Sequence, residues 1–382
     1  MLIEAVRRHI PEAAFFGLGG KTMEAAGCER IVRAEDIAVM GITEVIRHMP
    51  GIYRRYRELV RSIRTRNPDI AVLIDFPDVN FRLARELKKL GIPVVYFVSP
   101  QLWAWKTHRV RWVRERVTKM LVIFPFEEAF YREHGVDAEF VGHPLADVPL
   151  PSITREEFAA RHQLDPAKEW IGLLPGSRLK ELRLNLPGML AAAKTLGAAY
   201  EYVLPVAATL DGDVVRKAVV EDVGRYAPGT ILHVVPDARA TLKLVRASIV
   251  ASGTATVEAA IVGNPFIVVY RLSSLSYAVA SRLVKLPHVA MVNLVAGTRI
   301  VPELIQNKFT PGNVVLHLMP LLSDGPERTA MMDELSAVRN KLHVPDRDGQ
   351  KLTAVDRAAD WIARYIQPQS NAANTPAAEA NK

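Results

Sequence analysis

The sequence predicts an α/β protein of two doubly wound domains, each a parallel sheet covered by helices. Three observations carry this. Short β-branched and aromatic runs alternate with helically spaced segments along almost the whole chain. Most of these runs are continuously apolar rather than alternating, as strands buried on both faces are. The alternation breaks once, at His143-Pro144-Leu145-Ala146-Asp147-Val148-Pro149-Leu150-Pro151, which continues neither a helix nor a central strand.

Taken in order, the first element is a helix, because Leu2, Ile3, Val6 and Ile10 follow helical spacing with no capping residue ahead of them. A doubly wound domain opens with a strand and a ligand-contacting loop before that helix. The expectation is therefore a first domain lacking its opening strand. Strands are predicted at Phe15–Leu18, Ile70–Ile74, Val94–Val98, Met120–Phe124 and Glu139–Val141. Beyond the proline-rich break they resume at Ile171–Leu174, Tyr202–Leu204, Ile231–Val234, Ser248–Ala251 and Phe266–Val269. The predicted domains are residues 1–147 and 152–345, followed by a C-terminal helix over 346–366. The tail 367–382, rich in Ala, Asn and Pro, is expected to be disordered. A ligand is expected in a cleft between the domains.

Length and composition remove several function classes. The 382 residues suit two domains, and 49% apolar with 24% charged residues exclude a collagen, a wholly disordered chain and a polytopic membrane protein. The single cysteine, Cys28, excludes a disulfide framework and a multi-cysteine metal site, and reads as a small core residue. His143 and His288 have no second ligand at metal spacing, so neither a metal nor a cofactor is predicted. Met1 to Arg8 mixes acid and base where a signal peptide needs an apolar region. The expected location is the cytoplasm or a membrane surface facing it.

The formal charge of +8 points to an anionic partner and is unevenly spread. Ile46 to Asn67 carries seven arginines and one acid, and Trp103 to Lys119 six basic residues and one acid. Together they hold +11, which leaves −3 for the rest of the chain. In the first, Ile52, Tyr56, Leu59, Val60 and Ile63 share a helical face, with Arg54, Arg57, Arg61 and Arg64 opposite. In the second, Trp103, Trp105 and Trp112 interleave with the basic residues. Such segments fit an anionic membrane surface, or a solvated helix packed on its own core. No nucleic-acid fold motif accompanies them.

Leu173-Leu174-Pro175-Gly176-Ser177-Arg178-Leu179-Lys180-Glu181 reads as a strand, a tight turn and a helix start. Free N–H groups there suit an anion and Arg178 suits phosphate oxygens, although an ordinary turn with a surface arginine reads the same way. Ser252-Gly253-Thr254-Ala255-Thr256-Val257-Glu258 repeats the pattern after a later strand, with Thr254 and Glu258 on one helical face. Paired with the first, it favours a phosphate and ribose site over a simple N-cap. In Ile74-Asp75-Phe76-Pro77-Asp78-Val79-Asn80, Asp75 ends a strand, where desolvation would suit a general base. A helix N-cap is the competing reading, and it fits Asp78 better than Asp75. Gly20-Lys21-Thr22 lacks the earlier glycine of a P-loop, because Phe15 stands there. Asp211-Gly212-Asp213 does not end an apolar strand and reads as a helix-start acid pair.

These residues together resemble the lipid-A-disaccharide synthase family. The matching segments begin with Ala38–Val45, Ile74–Asp78, Tyr96–Trp105, Phe124–Glu127 and Val141–Pro144. They continue through Leu173–Arg178, Ser252–Glu258 and Asn293–Leu304, so that the resemblance spans residues 1–366. It implies the GT-B fold, two Rossmann-like domains, and an inverting transfer from UDP-2,3-diacylglucosamine to 2,3-diacylglucosamine 1-phosphate, joined β-1,6. It also implies UDP held by Gly176, Ser177, Arg178, Ser252, Gly253, Thr254 and Glu258, with Asp75 as the base. Asn293, Arg299 and Glu303 become further substrate-site candidates. Acylated, anionic substrates move the membrane reading of the basic segments ahead, on the cytoplasmic side of a Gram-negative-type inner membrane. A homodimer is compatible with the sequence, which does not fix the oligomeric state.

Family members open with a strand and a Gly-Glu-x-Ser-Gly-Asp loop, and neither precedes Leu2. The expectation is a start codon assigned too late rather than an impaired product. The rivals are a non-catalytic UDP-sugar-binding remnant and another enzyme of the UDP-N-acetylglucosamine type.

Overall fold

The computed structural model describes residues 1–34, 42–207, 210–273, 277–278, 286–345 and 352–373; the side chains of 42–49 and 368–373 are not described. The chain divides into two units, residues 1–144 with 344–382 and residues 145–343. The C-terminal segment therefore groups with the first unit.

In the first unit the strands are β1 (Phe15–Gly19), β2 (Cys28–Arg33), β3 (Ala71–Ile74), β4 (Val94–Phe97), β5 (Lys119–Val122) and β6 (Ala138–Phe140). They form two separate parallel sheets, β1-β2 and β3-β4-β5-β6. β1 and β3 therefore each have an edge with no strand partner among the described residues. Burial follows this break: every residue of β4 is buried, whereas Ile74 of β3 is 45% exposed. The core joins β3, β4 and β5 to Leu59 and Ile63 of the helix Ile42–Arg66 and to Phe81, Ala84 and Leu87 of the helix Pro77–Lys89. The opening helix Leu2–His9 packs on the C-terminal helix Ala354–Ala373, with Arg8 paired to Asp356.

In the second unit β7 (Glu169–Leu174), β8 (Tyr200–Pro205), β9 (Leu232–Val235), β10 (Ala247–Ala251), β11 (Phe266–Tyr270) and β12 (Glu303–Ile305) make one parallel sheet. Its order is β12-β11-β10-β7-β8-β9. The chain lays strands outward to one side of β7, then crosses back to lay the rest on the other side from β10. β7 and β10 thus flank the point where strand order reverses, where open α/β sheets bind ligands at the strands' carboxyl ends. Every residue of β10 is buried, as continuous apolar runs require.

All ten predicted strands are present, and the fold class is as expected. β2 and β12 were not predicted, for a shared reason. Each is an edge strand, and neither has a continuous apolar run: β2 reads Cys-Glu-Arg-Ile-Val-Arg and β12 has three residues. One expectation is corrected. The C-terminal helix runs to Ala373, into the tail expected to be disordered, because extending an existing helix costs little per residue. Residues 374–382, and Ala38–Gly41 of the first matching segment, lie outside the described residues. Asp211 does cap a helix, accepting from the amides of Asp213 and Val214, and Cys28 is buried.

Candidate active site

Two turns of the second unit lie side by side because the strands that carry them pair, Val250 opposite Leu174. After β7 the chain turns through Gly176 at φ 123°, a conformation that favours glycine. A Cβ there would also lie 2.5 Å from Glu181 Oε2. The helix Leu179–Leu196 follows. Its exposed N-terminal amides are engaged by its own first turn: Glu181 Oε2 accepts from Ser177 N at 2.9 Å and Arg178 N at 3.3 Å. The Arg178 guanidinium donates to Glu181 Oε1 at 2.9 Å. The donors expected to meet an anion thus already hold a carboxylate. The fully buried Asn185 pins the turn, donating to Pro175 O at 3.0 Å and accepting from Arg271 N at 2.8 Å.

After β10, Gly253 adopts φ 148° and the helix Thr254–Val262 starts without a side-chain cap. Ser252 Oγ donates to Val289 O at 3.1 Å. Glu258, one turn in, lies 3.7 Å from Arg239 and is partly buried, which pushes its carboxyl up from the usual range.

The same Val289 segment is held from the other side. Glu303 accepts from the amides of Val289 at 3.1 Å and Ala290 at 2.9 Å, and from Asn293 Nδ2 at 2.8 Å. Asn293 is fully buried, and its Oδ1 accepts from the amides of Ile300 and Val301, both at 3.0 Å. Asn293 therefore acts as a brace between two loops, with both ends of its amide engaged. Arg299 is exposed and lines a cavity of about 440 Å³ together with His288, Glu303, Gln306 and Lys308.

In the first unit Asp75 follows β3 directly. Its side chain is exposed and has no hydrogen bond or ion pair among the described residues, so the desolvation expected from sequence is not present. Asp78 is no cap: the residue ahead of that helix is Phe76, and Asp78 pairs with Arg109 at 2.9 Å. Asp75 and Phe76 both adopt φ 44°, and Val98 after β4 adopts φ 65°. Left-handed backbone costs roughly 1–2 kcal/mol per non-glycine residue. Strained residues at the carboxyl ends of neighbouring strands are a mark of functional sites.

Four residues of these sites were not singled out from sequence: Asn80, Tyr96, Glu127 and Glu181. Asn80 and Tyr96 hold the Asp75 backbone by donating to its carbonyl oxygen. Glu127 is buried and accepts from Ser99 Oγ at 2.7 Å, Trp103 Nε1 at 3.0 Å and Phe124 N at 3.1 Å. Burial pushes its carboxyl up to about 7 despite those three donors. It anchors the Ser99–Trp105 loop beside Asp75's strand. A polar residue heading a buried helical face would have flagged Asn80, which precedes Leu83, Ala84 and Leu87 on one face.

A family model for lipid-A-disaccharide synthetase matches residues 1–354. The chain belongs to the lipid-A-disaccharide synthase family. It is 62% identical over 354 residues to the lipid-A-disaccharide synthase of Acidobacterium capsulatum, covering 90% of this chain and 88% of that one. It is 51% identical over 367 residues to that of Koribacter versatilis, covering 96% and 94%. Solved structures give the fold: a calicheamicin glycosyltransferase, CalG4, has a TM-score of 0.55 at 16% identity, covering 97% of this chain and 94% of that one. Acinetobacter baumannii MurG has a TM-score of 0.53 at 13% identity, covering 92% and 100%. The fold is GT-B, and the chain is a glycosyltransferase of lipid A synthesis that uses a UDP-sugar and an acceptor. No helix among the described residues is long and apolar enough to cross a membrane.

Proposed function

We propose that this chain transfers 2,3-diacylglucosamine from its UDP derivative to 2,3-diacylglucosamine 1-phosphate, with inversion and a β-1,6 link. The observation that carries the reading is the pair of glycine turns at the carboxyl ends of β7 and β10, where strand order reverses. Gly176, Ser177 and Arg178 would bind the diphosphate together with Ser252, Gly253 and Thr254. The Glu181 carboxylate on two of those amides supports an oxyanion site, since a diphosphate competes for the same donors. Glu258 would meet the ribose hydroxyls. Asn293 and Glu303 would shape the site by bracing the Val289 loop, and Arg299 would meet substrate directly.

Asp75 would take the proton from the acceptor hydroxyl as its oxygen bonds to the anomeric carbon. The bond from that carbon to the phosphate oxygen breaks, and UDP leaves against Arg178 and the helix-end amides. The test is UDP release and disaccharide formation from the two diacylated substrates in the presence of a chelator. Asp75→Asn should lower kcat by about 10²–10⁴-fold, the range for loss of a general base. Full activity of that variant removes Asp75 as base, and activity with unacylated sugars alone favours a different UDP-sugar enzyme. A second reading, UDP binding without turnover, is favoured by the break between β1 and β3. UDP bound with no product formed would support it.

The basic segments would hold the first unit against the anionic cytoplasmic leaflet of the inner membrane. The apolar face of the helix Ile42–Arg66 is already packed on its own core through Leu59 and Ile63. Contact would therefore be electrostatic, through the exposed Arg54, Arg57 and Arg61, rather than by insertion. Reversing Arg57 and Arg61 to Glu should weaken sedimentation with phosphatidylglycerol vesicles at least about tenfold and leave neutral vesicles unaffected. Unchanged sedimentation rejects this face.

A further inference from the structure

The exposed Asp75 carboxylate has no side-chain partner among the described residues, so only the backbone decides where it sits. That backbone is unusual, with Asp75 and Phe76 both left-handed at φ 44°. Pro77 disfavours such a conformation further, since it pushes the residue before it towards extended geometry. Two residues from two different elements clamp the elbow through one atom, the carbonyl oxygen of Asp75. Asn80, in the first turn of the following helix, donates Nδ2 to that oxygen at 2.6 Å and to Ile74 O at 3.1 Å. Tyr96, in the neighbouring strand β4, donates its hydroxyl to the same oxygen at 2.6 Å.

Both clamps are themselves fixed. Tyr96 is fully buried and Asn80 is 9% exposed. The Tyr96 ring packs against Phe81 with centroids 6.1 Å apart. Burial raises the Tyr96 hydroxyl well above its ordinary range, which keeps it protonated as a donor. With its oxygen held from two directions, the Asp75–Phe76 peptide plane cannot rotate, and the Cα–Cβ bond of Asp75 is aimed with it.

We propose that Asn80 and Tyr96 are positioning residues which hold the left-handed elbow and thereby aim the Asp75 carboxylate at the acceptor hydroxyl. This rests on the reading of Asp75 as the base. The clamp replaces the second carboxylate or amide that would orient a base through its own side chain.

The experiment uses the full chain with both diacylated substrates and compares Tyr96→Phe, Asn80→Ala, Asp75→Asn and the double variant Asp75→Asn/Tyr96→Phe. Tyr96→Phe should lower kcat about 10- to 100-fold, as expected for a misaimed group, while both KM values and UDP affinity stay within about twofold. In the Asp75→Asn background, measured at high enzyme concentration, the same change should alter the residual rate less than about twofold, because its target is gone. Should Asn80→Ala fail to fold, Tyr96→Phe carries the test alone, since it removes one oxygen and keeps the ring. Wild-type kcat in Tyr96→Phe beside an inactive Asp75→Asn overturns the positioning role and leaves the base reading standing. Equal losses in both backgrounds mark a merely structural role and also overturn it. Full activity of Asp75→Asn removes the base reading, and this inference with it.

Discussion

The two units use one architecture and differ in continuity. In the second, six strands form an unbroken sheet, and the strands flanking the reversal of order, β7 and β10, pair with each other. In the first, the strands fall into two separate sheets, and β1 and β3 do not pair among the described residues. The difference shows how a site is held when the sheet beneath it is interrupted. In the second unit the turns after β7 and β10 are fixed by paired strands and by glycines in conformations that suit them. In the first, Asp75 stands beside an open edge and is fixed by side chains reaching from β4 and from the helix that follows. Strain is distributed accordingly. After β3 and β4 the left-handed positions fall on non-glycine residues, Asp75, Phe76, Val98 and Lys106, whereas directly after β7 and β10 they fall on Gly176 and Gly253; Asn67, Gln163 and Gln306 are left-handed elsewhere.

The contrast can be broken by hydrogen exchange. Amides of β1 and β3 should exchange at least about 100-fold faster than those of β7 and β10, a difference near 3 kcal/mol in opening free energy. Equal protection would mean that the first sheet is closed in solution.

A pH titration of stability sharpens the same contrast. Glu127, raised by burial to about 7, favours the folded state when protonated, so its contribution is full below about 4.5 and lost as pH rises through 7. His143, whose ring packs on Phe124 and whose pKa is lowered by burial to about 4, acts in the opposite sense and loses its contribution as pH falls from about 6.5 to 4. Glu127→Gln should therefore remove a loss on the order of 2 kcal/mol between pH 5 and 8 in the first unit, read by urea unfolding. An unchanged slope would show that this carboxyl is ionised when folded.

In the second unit Gly176→Ala should cost about 1–2 kcal/mol, from the strained φ and the close approach of Glu181. It should also weaken UDP binding measured by calorimetry, and wild-type affinity would separate this turn from the diphosphate. The smallest effect expected is Asp211→Ala, about 1 kcal/mol for the loss of a helix cap. A larger loss would make the second unit more fragile than its continuous sheet implies.

How much was legible in the sequence follows from the same physics. Strands written as mostly apolar runs announce themselves whether central or at an edge, so β1 and β3 to β11 were readable. β2, with three charged residues in six, and β12, only three residues long, were not. The glycine turns were readable because a left-handed position after a strand selects glycine and leaves a motif. The clamp on Asp75 was legible only in part: Asn80 heads a buried helical face five residues on, whereas nothing local in the sequence records the bond of the Tyr96 hydroxyl to a carbonyl one strand away. Nor does spacing separate an arginine that awaits an anion from one already held by its own first turn, as Arg178 is by Glu181.

Cys28 lies in β2, within the two-stranded piece of the first unit, and is the chain's only cysteine. Its thiol is buried, and burial raises its pKa, so attack by a disulfide reagent must wait for that piece to open. The molecule therefore contains a single-event clock. The reaction releases one equivalent of chromophore per chain, at a rate that times the opening of the small sheet without any engineered label.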